Sequence, residues 1–252
     1  MDFDASFFKE EERCGYLVTE KRKKVWAVGL ELLERFDRVC KKHNLKYFVY
    51  YGTLLGAVRH QGYIPWDDDI DIAMPRKDYQ KLRKIAKKEW NNDTFKYINY
   101  PDIGGGAFFD CMPRLFYMKE HLPTKCFDKV YGKANIEIAD RIFLDIYVMD
   151  NAHENELAHK FTISAMKGIY NLMMGHRTYI DYDIYKNVVP GTTIKLMKCL
   201  HKIGKALPVN FLAFCYDTFS RSANLNRKCK NYIMGTGLIR YIGKKFPKEY
   251  YG

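Results

Sequence analysis

YFVYYGTLLGAVRHQGYIPWDDDIDIAM, running from Tyr47 to Met74, is the stretch that organises the chain. Tyr47-Phe48-Val49-Tyr50-Tyr51 is an unbroken apolar and aromatic run, the pattern of a buried strand. Gly52-Thr53 breaks it. Leu54, Leu55 and Val58 then predict a short helix, which Gly62 and Pro65 stop. Four aspartates follow, Asp67, Asp68, Asp69 and Asp71, interleaved with Ile70 and Ile72.

Asp69-Ile70-Asp71-Ile72 alternates at the period of a strand. Ile70 and Ile72 then face a core, while Asp69 and Asp71 share the other face with Cα atoms about 7 Å apart. Adjacent like charges repel and add nothing to a strand. A divalent cation turns that repulsion into binding, because hard cations take carboxylate oxygens. A solvated acidic turn is the plainer account of an isolated Asp-x-Asp. The apolar runs that flank this one favour the cation site.

Upstream, Val25, Val28, Leu32, Phe36 and Val39 recur at three- and four-residue spacing and predict a helix from Thr19 to His43, with Asn44 as its C-cap. Downstream, Pro75 ends the acidic strand. A second helix runs to about Trp90 on a stripe of Tyr79, Leu82, Ile85 and Trp90. A strand from Phe95 to Tyr100, a turn over 101–106 and a return strand from Ala107 to Met118 come next. Arg114 lies in the return strand and points toward the site. The glycine triplet of the turn lacks the Lys-Ser/Thr of a P-loop, so it reads as a hairpin loop. Residues 121–135 are loop-like.

From Ile142 to Asp150 the pattern is again a strand, with Asp145 set among apolar residues. A charge there is expensive unless it is paired or holds a metal. Alternation puts Phe143, Asp145 and Tyr147 on one face and Leu144, Ile146 and Val148 on the other. The second face is uniformly apolar and is the core. Asp150 reads as a cap or turn residue. Three helices follow, from His153 to Met174, Thr192 to Leu207 and Val209 to Leu225, with a last strand from Tyr232 to Leu238. Leu157, Phe161, Ala165, Ile169 and Leu172 are the predicted core stripe of the first. The fold class is therefore α+β: residues 1–150 form a mixed β-sheet core flanked by helices, and residues 151–252 form a helical region packed on it.

The chain has 252 residues, of which 47% are hydrophobic, enough to fill a globular core. Lys and Arg number 42 against 30 acidic residues, a net charge of +12 that favours anionic partners. The seven cysteines form no CxxC and their number is odd, which argues against a disulfide framework or a sequential zinc site and for reduced thiols in a cytoplasm. The first residues lack the basic and apolar regions of a signal peptide. No apolar run approaches the roughly 18 residues of a membrane span. Nucleic acid is not an expected partner: the lysines are spread along helices, and no RNP, helix-turn-helix or zinc-finger pattern occurs.

Gly52-Thr53-Leu54-Leu55-Gly56-Ala57-Val58-Arg59-His60 followed by Pro65-Trp66-Asp67-Asp68-Asp69-Ile70-Asp71-Ile72 resembles the signature of the LicD-type phosphorylcholine transferases. That family includes the fukutin-related transferases and belongs to the polymerase-β-like nucleotidyltransferase superfamily. The resemblance is densest from about residue 45 to 80. It implies a nucleotidyltransferase core in which Asp69, Asp71 and a third carboxylate, matched here by Asp145, are catalytic residues and hold Mg²⁺ or Mn²⁺. It further implies transfer of phosphocholine, or a related phospho-alcohol, from CDP-choline or another CDP-alcohol donor to a hydroxyl of a cell-surface glycan or its precursor. Relatives act at the cytoplasmic face of a membrane, and the basic charge suits peripheral association with anionic lipid there.

In that setting the backbone at Gly52-Thr53, at a helix start, is the predicted phosphate cradle, with Gly52 required because a Cβ would hold the diphosphate away. A positive φ at Gly52 is part of the expectation. Arg59 is placed to grip a phosphoryl oxygen, against the plainer reading of a surface residue on the short helix. Trp66 is placed to stack on a base or a choline group, against a loop anchor. Asp67 and Asp68 steady the ligands. Asp145 orients or deprotonates the acceptor hydroxyl. Phe246 to Tyr251 resembles a point from which family members run on, so contacts made by such a tail are expected to be missing. Transfer of a nucleotide to a small hydroxyl compound, or an inactive scaffold, are the alternatives.

Overall fold

The computed structural model describes residues 2–90, 92–99, 111–119, 141–177, 180, 182–186, 189–226, 228–235 and 243–251. The chain divides into two compact units. The first takes Met1–Ile98, Pro113–Pro123 and Asp140–Tyr147, the second Asn99–Met112, Thr124–Ala139 and Val148–Gly252. The predicted turn at 101–106 and loop at 121–135 lie outside the described residues, as do Tyr100 and residues 236–238 of the predicted last strand.

The first unit begins with a short hairpin, β1 (Glu11–Arg13) and β2 (Tyr16–Val18), then helix α1 (Glu20–Lys42). Thr19 caps α1 by accepting a hydrogen bond from the Arg22 amide, and Asn44, at φ +49°, takes the left-handed position past its end. The stripe read from the sequence is its buried face: Val25, Val28, Leu32, Phe36 and Val39 are all buried. Strands β3 (Phe48–Val49), β4 (Ile70–Pro75), β5 (Phe95–Ile98), β6 (Arg114–Tyr117) and β7 (Phe143–Asn151) line up in the order β3-β4-β7-β6-β5. Helix α3 (Arg76–Trp90) packs on β4 and β5, and α1 on β6. The two helices meet where Phe36 stacks on Trp90, with ring centroids 5.6 Å apart. Ala86 is buried in the α3 stripe and Ile85 is only half-buried.

The strand predicted from Tyr47 to Tyr51 is reduced to Phe48–Val49. The chain turns two residues earlier than Gly52, and helix α2 already begins at Tyr51 and runs to His60. The positive φ expected at Gly52 belongs instead to Tyr51, at +38°. An aromatic residue seldom occupies that region. The Tyr51 ring is wedged between Tyr50 and Tyr147, with centroids 4.3 Å and 5.1 Å away.

In the second unit the last residues of β7 pair with β8 (Asn231–Met234), which pairs with β9 (Phe246–Pro247). Helices α4 (Glu156–Met174), α5 (Gly191–Lys205) and α6 (Val209–Ser220) follow the predicted order. Both α5 and α6 pack on α4. The face that α4 buries is Ile163, Met166, Tyr170, Met173 and Met174; of the predicted stripe, Ile169 and Leu172 pack partly buried against it, while Leu157 is 78% exposed and Phe161 67%. Two apolar stripes run along this helix, and the neighbours it packs on chose between them. Asp150 is no cap. It is wholly buried within β7 and accepts hydrogen bonds from Ser220 Oγ and Asn224 Nδ2.

Candidate active site

The site is built in the first unit where α2, β4, β6 and β7 converge. Chain direction places it. Leaving β3, Tyr50 donates its amide to the Asp71 carbonyl at 2.9 Å, and in return the Asp71 amide donates to Thr53 Oγ1 at 2.8 Å. These bonds fasten the first turn of α2 to the start of β4. Gly52 therefore sits against the aspartates: a Cβ on it would lie 2.4 Å from Asp67 Oδ2 and 3.9 Å from Asp71 Oδ2. The glycine is required by a carboxylate already present, a reason the sequence reading did not supply.

The loop carrying Asp67 to Asp69 is held from behind. Trp26 Nε1 donates to the Asp67 carbonyl at 2.8 Å, and Tyr63 stacks flat on Trp26 with centroids 5.0 Å apart. Arg22 pairs with Asp68 at 3.0 Å. Asp67, Asp68 and Asp69 each bring a carboxylate oxygen within 4.8 Å of the others. Asp69 precedes β4 rather than belonging to it, while Asp71 lies inside the strand and is buried.

Burial, followed by the charges of Asp67, Asp145 and Asp68, pushes the Asp69 carboxyl up to about 8. Burial, followed by Asp69, Asp145 and Asp67, pushes Asp71 up to about 9. Asp67 is also raised, burial again leading, and its carboxyl shares a hydrogen bond with that of Asp69. Such a bond needs a proton between two acids. Asp145 acts on both Asp69 and Asp71, so the third carboxylate lies in their field. It stands opposite Arg114 in the β6–β7 register, and Arg114 Nε donates to its Oδ1 at 2.5 Å. Both residues are buried, and the guanidinium also covers the Phe143 ring at 4.8 Å. The donor set is all carboxylate oxygen, which suits a hard divalent ion.

Two of the sequence candidates stand apart from this cluster. Arg59 is on the last turn of α2, exposed, with Nε donating to His60 Nε2 at 2.8 Å. Trp66 is 52% exposed one residue before the acids, with Tyr16 and His60 at its edges. Sequence reasoning missed Tyr147, which hydrogen-bonds the Asp71 carboxyl and packs its ring on Tyr50 and Tyr51. Its place on the Asp145 face of the strand was the available signal. A cavity of about 540 Å³ opens beside Gly52, Thr53 and Asp67, walled by Trp26, Tyr63 and Leu30.

Comparison with known proteins agrees with the geometry. Residues 44–111 match the model of the LicD/FKTN/FKRP nucleotidyltransferase domain, a span that includes Gly52, Thr53 and all four clustered aspartates. The chain is 40% identical over 155 residues to the lipopolysaccharide cholinephosphotransferase LicD of Haemophilus influenzae, covering 60% of this chain and 48% of that protein. It is 30% identical over 176 residues to an uncharacterized protein of Rickettsia typhi, covering 68% of this chain and 50% of the relative. The chain thus spans about half the length of these curated relatives. No helix among the described residues is long and apolar enough to cross a membrane.

Proposed function

From the match of residues 44–111 to the LicD/FKTN/FKRP nucleotidyltransferase domain and the similarity to LicD, we propose that the chain transfers phosphocholine, or a related phospho-alcohol, from a CDP-activated donor to a hydroxyl of a surface glycan such as lipopolysaccharide. What supports this reading is the gathering of acids beside a glycine-led helix start: Asp67, Asp68 and Asp69 each bring a carboxylate oxygen within 4.8 Å of the others, and the charge of Asp145 acts on Asp69 and Asp71. Acids crowded together with raised pKa values call for a cation, and among the described residues the group that could hold one is all carboxylate. Asp69, Asp71 and Asp145 would hold Mg²⁺ or Mn²⁺, which supplies neutralisation of the donor diphosphate when bound.

The chain's own groups supply the rest. Amides at the start of α2, near Gly52 and Thr53, donate to a donor phosphate. The cavity beside that turn gives the nucleotide room. Trp66 offers an exposed ring face to a base or to the quaternary ammonium. Arg114 fixes the Asp145 carboxylate, and Asp145 orients the acceptor hydroxyl and takes its proton as the oxygen attacks phosphorus. The new P–O bond forms as the bond to CMP breaks, and CMP leaves with the electron pair. Arg59 joins the site only by turning its side chain back along α2. The six described cysteines are all free thiols, which suits the cytoplasmic face of a membrane.

The test is product analysis with CDP-choline, CDP-ribitol and CDP-glycerol, each with a lipopolysaccharide acceptor and Mg²⁺. Release of CMP with phosphocholine on the glycan supports the reading. Release of pyrophosphate from a nucleoside triphosphate, with no CMP from any of the three, would instead identify a nucleotide transfer.

A further inference from the structure

Helix α5 (Gly191–Lys205) has a fixed outer face that the chemistry above does not use. Residues seven apart on an α-helix nearly superpose, drifting by only about 20°. Leu196 and Ile203 are such a pair, and they are 59% and 50% exposed. Lys195 and Lys202 form a second pair and Lys198 and Lys205 a third, all four exposed. Lys198 reaches over the Tyr182 ring at 4.8 Å and still carries its charge at the surface.

The orientation of this face is set by two glycines on the inner side. A Cβ at Gly204 would lie 1.9 Å from the Leu172 carbonyl oxygen of α4, and one at Gly175 would lie 2.0 Å from the His201 carbonyl oxygen of α5. The two helices thus touch backbone to backbone. α5 cannot roll to hide Leu196 and Ile203 without breaking that contact.

Residues 184–216 contain five lysines and no aspartate or glutamate. Phe211 and Phe214, at the start of α6 in the same stretch, are 57% and 62% exposed. A protein surface presents both signs of charge to a partner; a bilayer rich in anionic lipid presents one, above an apolar layer. At about 100° per residue the lysines lie along one side of the apolar stripe, Lys195 and Lys202 nearest to it, and a basic edge beside an apolar one matches that sequence of layers. We propose that the outer face of α5 is a docking surface for anionic lipid bilayers, with Leu196 and Ile203 entering the headgroup boundary and Lys195, Lys198 and Lys202 contacting lipid phosphates. This extends the membrane location proposed above. It is measured without donor or acceptor, so either reading can fail alone.

The experiment is co-sedimentation of the 252-residue chain with phosphatidylcholine vesicles, with and without phosphatidylglycerol. The proposal expects binding that requires the anionic lipid and weakens with added salt. Lys195→Gln/Lys198→Gln/Lys202→Gln should lower the affinity about a hundredfold. Leu196→Ser/Ile203→Ser should lower it as well, at unchanged charge. Unchanged thermal unfolding of both variants shows that the surface alone was altered, and all five positions are solvent-facing enough to allow it. Equal binding to neutral vesicles, or no loss in the lysine variant, would overturn the proposal. So would unchanged binding of the Leu196/Ile203 variant, which would leave charge alone acting. Capture of duplex DNA with vesicles ignored would assign the face to nucleic acid instead.

Discussion

A Cβ placed on Gly52 would lie 2.4 Å from Asp67 Oδ2, so the first turn of α2 and the acidic loop are packed to the limit that a hydrogen side chain allows. The Asp67 carboxyl retreats only by giving up its hydrogen bond to Asp69. Gly52→Ala should therefore cost about 1–3 kcal/mol in overpacking, read by urea unfolding. The account requires that Asp67→Ala in the same chain recover most of the loss. A double variant no better than the single one would show that the clash lies elsewhere.

Arg114 and Asp145 form a buried pair on neighbouring strands. Removing one member leaves the other charged in the core, which is worth about 3–5 kcal/mol. Arg114→Ala should lose stability on that scale, and should also lower turnover by freeing the Asp145 carboxylate to rotate. A stability change under about 1 kcal/mol would mean that the pair is not closed in solution.

The acids also set a pH dependence. Without a divalent cation, folded Asp69 and Asp71 keep their protons up to about 8 and about 9, while unfolded carboxylates lose theirs near 3.8. Between those limits the folded state binds more protons, so stability falls as pH rises. A cation binds the deprotonated site. The gain in Tm from Mg²⁺ should accordingly be larger at about pH 8 than at about pH 6. A gain that is equal at both, or larger at the lower pH, would contradict a proton-linked carboxylate site.

Much of this site was legible because its parts are local. The α1 stripe, Asp71 on its strand and Asp145 among apolar residues each follow from one stretch of chain, while Asp69, read into the strand, lies just before it. What was not legible depends on distant partners. The sequence placed Arg114 and Asp145 on separate strands but could not show that they stand opposite each other, since register is a tertiary property. The reading of Gly52 as a phosphate cradle gives no sign that Asp67 also packs against it. The left-handed backbone at Tyr51 violates local preference and is held by packing on Tyr50 and Tyr147.

Helix α4 shows the same limit in its plainest form. Two apolar stripes share it, and periodicity cannot rank them. The structure buries Met166 completely and leaves Leu157 78% exposed. Met166→Ala should cost about 2–5 kcal/mol. Leu157→Ser should change stability by no more than about 0.5 kcal/mol. The reverse order in chemical denaturation would restore the stripe read from the sequence.

The central claim is that Asp71 and its neighbours hold the cation on which transfer from a CDP-alcohol depends. The most direct measurement is Mg²⁺-dependent release of CMP from CDP-choline, with a glycan acceptor, by the wild-type chain and by Asp71→Asn. Asparagine keeps the shape of the protonated side chain and cannot ionise to meet a cation, so folding should be intact without metal. The account predicts that release falls at least about a hundredfold in the variant, while its circular dichroism matches that of the wild type. Release by Asp71→Asn at the wild-type rate, with the same dependence on Mg²⁺, would contradict it.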